Sequence, residues 1–254
     1  MLFMKKVLFL FLLVILTLYF LYPKDSPKPT IIDEKVKYPQ DYTIVMVGDS
    51  MTETLGNSDE IRKFLKEYYP DKTFEVLNYG FGSTNILTLK TRLLEKTFHG
   101  REFRPITEID FDLILIESFG HNPLSHLSME EGLREQTKAL EEAVQILKDK
   151  NPEGRIVFVA TIAPSKAQYG RGQVELTPEA RQGWVLEREA YIKNHIKFAM
   201  DNNIPLINIF EKSKVEGDLN LDLVRTEDYI HPSPTGTIFI SKIIADFLFQ
   251  EKIL

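Results

Sequence analysis

From residue 41 onward, short wholly apolar runs alternate with longer segments whose apolar residues recur at helical spacing. Tyr42–Val47, Phe74–Leu77, Leu113–Ile116, Ile156–Ala160 and Leu206–Ile209 are the strand candidates. They are brief, dominated by Val, Ile and Leu, and lack the alternation of a strand with one wet face. Between them the spacing predicts helices over Ile61–Tyr69, with Ser58 and Asp59 as caps, and over Ile86–Phe98 through Leu87, Leu89, Leu93 and Leu94. Three more follow over Met129–Lys148, Pro178–Met200 and Thr235–Phe249; the first carries Leu133, Leu140, Val144 and Leu147 on one side. Strands buried on both faces and separated by helices predict an α/β fold, a three-layer α/β/α sandwich around a mainly parallel sheet of about five strands.

The start of the chain has a different pattern. Lys5 and Lys6 precede Val7–Tyr22, an uncharged run that with Met1–Met4 approaches the length that spans a bilayer. Residues 1–22 are therefore expected to form an N-terminal transmembrane helix. Bulky Tyr19, Phe20, Leu21 and Tyr22 stand where a signal peptidase needs small residues, so an uncleaved signal anchor is expected, with secretion after cleavage as the alternative. The positive flank places Lys5 and Lys6 in the cytoplasm and everything after Pro23 outside, a single-pass protein of the cell membrane. Residues 23–40 read as a Pro- and Lys-rich linker, and 41–254 as one domain.

Composition narrows the chemistry. A net charge of -6 without a basic run in the body argues against nucleic acid. The absence of cysteine removes thiolate nucleophiles, disulfides and Cys-based zinc sites. The five histidines lack i, i+4 pairing, and the Gly80-Phe81-Gly82 run lacks the spacing of a nucleotide-binding fingerprint, so neither metal nor cofactor is expected.

In parallel α/β sheets ligands gather beyond the carboxyl ends of the strands. Four segments lie there or ahead of the last helix: Gly48-Asp49-Ser50, Asn78–Ser83, Glu117–Asn122 and Asp228–His231. A serine hydroxyl needs a base to become a nucleophile, in practice a histidine. His99, beside Gly100 at a predicted helix end, and His195, in a Lys-rich helical surface, read as solvated. His231 follows Asp228 by three residues, so one turn sets the carboxylate beside the imidazole Nδ1–H and leaves Nε2 for Ser50. Oxyanion donors are available from the Ser50 amide, an amide in the Asn78–Ser83 turn and the Asn122 side chain. Asp49 reads as a brace of the nucleophile turn. His121 is either a pocket residue or a plain loop histidine; Trp184 and Tyr169–Gly172 are candidate cleft lining, with core packing the alternative for Trp184.

The ordered set Gly48-Asp49-Ser50, Asn78-Tyr-Gly-Phe-Gly82, Phe119-Gly-His-Asn122 and Asp228-Tyr-Ile-His-Pro232 resembles the SGNH/GDSL hydrolase superfamily over about Ile44–Ser241. The resemblance implies a flavodoxin-like fold with Ser50 as nucleophile and first oxyanion donor. It makes Gly82 and Asn122 the other donors, His231 the base and Asp228 its orienting acid. Ser83 follows Gly82 where a second glycine is frequent, so either residue is a candidate for the second amide, and Pro123 replaces the usual Asp after Asn122. The implied activity is a cofactor-free serine esterase acting on a small ester, an acylated glycan or a lysolipid. A polysaccharide O-acetyltransferase using the same site and a non-catalytic glycan-binding module are the alternatives.

Overall fold

The computed structural model describes residues 35–254. In chain order it contains β1 (Tyr42–Gly48), α1 (Ser50–Glu53), α2 (Asp59–Tyr68), β2 (Phe74–Gly80), α3 (Leu89–Leu94), β3 (Thr97–His99), β4 (Arg101–Phe103) and β5 (Leu113–Glu117). Then come α4 (Met129–Lys150), β6 (Arg155–Ala160), α5 (Pro178–Asp201), β7 (Leu206–Asn208), α6 (Ile209–Lys212), a short β8–β9 pair (Lys214–Val215 and Asp218–Leu219) and α7 (Pro234–Gln250). Five strands form one parallel sheet in the order β2-β1-β5-β6-β7.

The pleat divides the apolar strands between two cores. Ile44, Met46, Leu113, Leu115, Val157 and Val159 join the cluster that contains Ile61 and Leu65 of α2 and Ile240 and Ile244 of α7. Val45, Val47, Ile114, Ile116 and Phe158 join the other, with Leu140 and Leu147 of α4 and Tyr191 and Phe198 of α5. Both faces are covered, which is why the strands carry no polar alternation. The chain passes from β1 to β2 on one side and then returns to β5 on the other, so the strand order reverses between β1 and β5. Ser50 and the Glu117–Asn122 segment leave the sheet at that crevice.

Four expectations need correction. Ile86–Phe98 is not one helix: a 3₁₀ turn (Ile86–Thr88) leads into α3, which ends at Leu94, and Thr97–His99 pairs antiparallel with Arg101–Phe103. Gly100, at φ +69°, supplies the left-handed residue of the hairpin turn. His99 therefore lies on a hairpin and not at a helix end. His195 is fully buried rather than solvated, stacked on Phe158 with centroids 4.4 Å apart. The tether does not run to residue 40, because Val36 bonds to Glu108 O (2.8 Å) and accepts from Asp110 N (3.0 Å), pairing with Ile109. The expected helix over residues 1–22 lies outside the described residues, and among the described residues no helix is long and apolar enough to cross a membrane.

Candidate active site

Ser50 stands where β1 gives way to the single turn α1. Asp49 caps that turn, its Oδ1 accepting from Met51 N at 2.8 Å, which bends the chain off the sheet. As the first residue of the turn, Ser50 has an amide with no intrahelical acceptor. Close packing makes the corner possible: a Cβ on Gly80 of β2 would collide with the Glu53 backbone nitrogen.

His231 arrives from the other end of the chain with its Nε2 2.9 Å from Ser50 Oγ and its Nδ1 2.7 Å from Asp228 Oδ2. The second carboxylate oxygen of Asp228 accepts from the amides of Ile230 (2.8 Å) and His231 (3.0 Å). An ionised carboxylate only accepts, so Nδ1 carries the ring proton and Nε2 is free to accept from Ser50. Burial raises the Asp228 carboxyl's proton affinity, but the His231 ring and the two amides outweigh it, and the group is held below the usual carboxylate range. Arg225 secures the loop from outside: its amide donates to His231 O (2.9 Å) and its Nε to Pro232 O (3.1 Å). Ser233 then caps α7 by accepting from Gly236 N.

On the far side of Ser50, the Asn122 Nδ2 donates to Asp49 Oδ2 at 2.9 Å, which leaves its second N–H unspent. Gly82 lies alongside the serine, so that a Cβ added there would be 3.8 Å from Ser50 Cβ and 2.5 Å from Glu53 Oε2. Ser83 has φ +58°. The Glu53 carboxylate is drawn aside by His99 Nε2 at 2.7 Å, and the His99 ring stacks on Phe81. The structure thus gathers Ser50, His231, Asp228, Asn122 and Gly82 at one rim.

Arg92 and the buried role of Glu117 escaped the sequence reading; of the candidates named there, His121 and Tyr169 prove to be packed away and Trp184 half-buried. Arg92, 1% exposed, reaches under the corner from α3. Its Nη1 donates to Gly48 O (2.6 Å) and Tyr79 O (2.8 Å), and its Nη2 to the hydroxyls of Thr84 and Thr88. Burial pulls its proton affinity down to about 10, opposed by Asp49, Glu117 and Glu53, so it stays cationic at neutral pH. Glu117, at the end of β5, is buried against Asp49. His121 is buried too, with Nε2 donating to Ile162 O (3.1 Å) and Nδ1 3.0 Å from Tyr169 Oη, which also accepts from Arg188 Nε (2.9 Å). Burial holds the His121 ring neutral, drawing its proton affinity down to about 4. Tyr169 is thus a buried strut, and Trp184 is half-buried beneath the Arg188 guanidinium, 4.6 Å from its ring. Helical periodicity was the available signal for Arg92, which shares a buried face with Leu89 and Leu93. Among the described residues no group of His, Asp and Glu is disposed to hold a metal ion.

A doubly wound sheet with this crevice is the scaffold of the SGNH/GDSL hydrolases. The chain belongs to the GDSL-like lipase/acylhydrolase family, whose model matches residues 46–237, a family of esterases and acylhydrolases. No curated protein sequence matches the chain. Solved structures share the fold at low identity. A lipase/acylhydrolase from Enterococcus faecalis superposes with a TM-score of 0.60 at 15% identity, over 83% of this chain and 96% of that one. An acetyl xylan esterase superposes at 0.56 and 17%, over 82% and 98%. An acetyl-xylooligosaccharide esterase from Geobacillus superposes at 0.55 and 16%, over 83% and 94%.

Proposed function

We propose that the protein is a serine esterase of carboxylic esters, with Ser50, His231 and Asp228 as its catalytic triad. The observation that carries this reading is the unbroken row Ser50 Oγ, His231 Nε2, His231 Nδ1, Asp228 Oδ2, with contacts of 2.9 and 2.7 Å. Ser50 Oγ attacks the ester carbonyl while its proton passes to Nε2. The new imidazolium is stabilised by Asp228 and returns the proton to the leaving alcohol. The acyl group remains on Ser50 Oγ until water, activated by the same ring, adds to the carbonyl and releases the carboxylic acid. The carbonyl oxygen, negative in each tetrahedral intermediate, is held by the Ser50 amide, the Gly82 amide and the unspent Asn122 N–H. Gly82 is preferred to Ser83 because it packs beside the serine, a Cβ built on it standing 3.8 Å from Ser50 Cβ.

The substrate proposed is a short acyl ester, an acetyl group on a cell-surface glycan foremost. This fits the half-exposed His231, which opens the row to solvent, and the acetylated xylan substrates of two structural relatives. The apolar N-terminal run is proposed to anchor the domain outside the membrane. Ser50→Ala should abolish hydrolysis of a short-chain aryl ester and labelling by a fluorophosphonate while the fold persists. Undiminished turnover by that variant would overturn the mechanism.

A further inference from the structure

Behind the nucleophile corner lies a pair of acids that the chemistry above does not use. Asp49 is 0% and Glu117 5% exposed, and the Asp49 amide donates to Glu117 Oε2 at 3.2 Å. Glu117 Oε1 accepts from Ser118 Oγ–H (2.8 Å) and Phe119 N–H (3.0 Å). Glu117 also borders a largely apolar cavity of about 30 Å³ whose wall includes Met46, Met51, Leu115, Ile240 and Thr161. The charged and titratable groups around the pair are Arg92, Glu53 and, toward the crevice, His231 and Tyr169. Arg92 is the one buried cation beneath the corner among the described residues, and two ionised carboxylates there would leave a net negative charge in an apolar surround. One resident proton balances the cluster.

Resting on the triad reading, we propose that Glu117 is a positioning residue: it holds that proton, donates it in a hydrogen bond to Asp49, and through Asp49 aims the Asn122 amide at the oxyanion. Burial and the Asp49 charge both raise the proton affinity of Glu117 well above the ordinary carboxyl value. Asp49 is raised by burial too, but the Met51 amide, the Asn122 side chain and the Glu117 proton all favour its charged form. Each of the four carboxyl oxygens then has at least one partner. Oδ1 of Asp49 takes Met51 N–H and Oδ2 takes Asn122 Nδ2–H, while Glu117 supplies its proton and accepts three donors. A second negative charge at Glu117 would push the Asp49 carboxylate off Asn122 and leave that donor unaimed.

Glu117→Gln keeps an N–H toward Asp49 and cannot ionise, whereas Glu117→Met removes the donor at similar volume. Steady-state hydrolysis of p-nitrophenyl acetate should show kcat within about tenfold of wild type for Gln and about 100-fold lower for Met. KM should stay within about threefold in both, because the lost contact acts on the transition state. Equal losses in the two variants, or full activity in Glu117→Met, would overturn the proposal. A second readout does not depend on catalysis or on the Met variant folding. The infrared spectrum of wild-type protein at neutral pH should contain the carbonyl stretch of a neutral carboxylic acid, absent from Glu117→Gln. Lack of that band in wild type sinks the idea even if the triad stands. Full activity of Ser50→Ala beside the band would instead sink the triad reading, and with it any positioning role.

Discussion

Asp228→Asn is the sharpest perturbation the site offers, because the structure dictates how the new amide must sit. The amides of Ile230 and His231 both donate to Oδ1, so the asparagine carbonyl is pinned there and its NH₂ occupies the place of Oδ2. That NH₂ faces His231 Nδ1 across 2.7 Å, where two donors cannot meet, so the ring proton moves to Nε2. Nε2–H then donates to Ser50 Oγ across 2.9 Å instead of accepting its proton, and the general base is lost with almost no displacement of atoms. Loss of the base in such a row costs roughly 10³–10⁴ in kcat, or about 4–5.5 kcal/mol of transition-state stabilisation. KM should change little, since the substrate-facing surface is intact. The assay is steady-state hydrolysis of p-nitrophenyl acetate, with circular dichroism to show that the fold is retained. A kcat within tenfold of wild type in a folded variant would refute the assigned tautomer and Asp228's part in it.

Three further outcomes follow from buried or crowded positions. Arg92→Met should lower the urea unfolding free energy by about 3–5 kcal/mol, because it strips four acceptors of their donor and leaves Asp49 without its cation; a loss below 1 kcal/mol would contradict that account. Gly82→Ala places a methyl 2.5 Å from Glu53 Oε2 with no left-handed backbone to strain, so its melting temperature should hold. Its kcat/KM should fall at least about tenfold as Glu53 leaves His99 and crowds the oxyanion amides; unchanged kinetics would exclude that crowding. For acid stability, His121 and His195 are held neutral by burial, with proton affinities near 4 and 3 against 6.5 for the ordinary ring. Their folded values are depressed, so the unfolded chain takes up protons first, and stability falls as pH drops from about 6.5 toward 3. The His195 ring nitrogens lack a hydrogen bond of ordinary length, with only weak support from the Ile116 carbonyl, so His195→Leu should move the acid unfolding midpoint to lower pH. An unmoved midpoint would mean that this ring is not a source of acid lability.

The strands were legible because a sheet covered on both faces demands apolar residues at every position, and all of Leu113–Glu117 is buried. The row Ser50, Asp228 and His231 was legible for a different reason: a serine just past a strand end and an Asp–His pair at one-turn spacing have few other uses together. Charge misled elsewhere. His195 sits among Lys193, Asn194 and Lys197, yet it continues the stripe of Arg188, Tyr191 and Ile192 that faces the core. Arg92 and Glu117 look like surface residues flanking apolar runs. Only the folded backbone shows that Gly48 O and Tyr79 O need a donor and that Glu117 ends up buried against Asp49. The hairpin Thr97–Phe103 was hidden by the leucines of α3, whose helical spacing ran on into it, although Gly100 marked its turn.

Ser50 and His231 meet across 181 residues of chain, and on the proposed triad that separation governs when activity can begin during synthesis. Ser50, its cap and the strands that flank it emerge early, but His231 arrives only with the segment that leads into α7. That helix is docked by Tyr68, whose hydroxyl binds Asp246 and whose ring stacks on Phe249 at 4.5 Å. A nascent chain still missing this last element holds a serine with nothing to take its proton. On the proposed mechanism the chain is silent while it is being made, and the first turnover of an ester would report that it has closed upon itself.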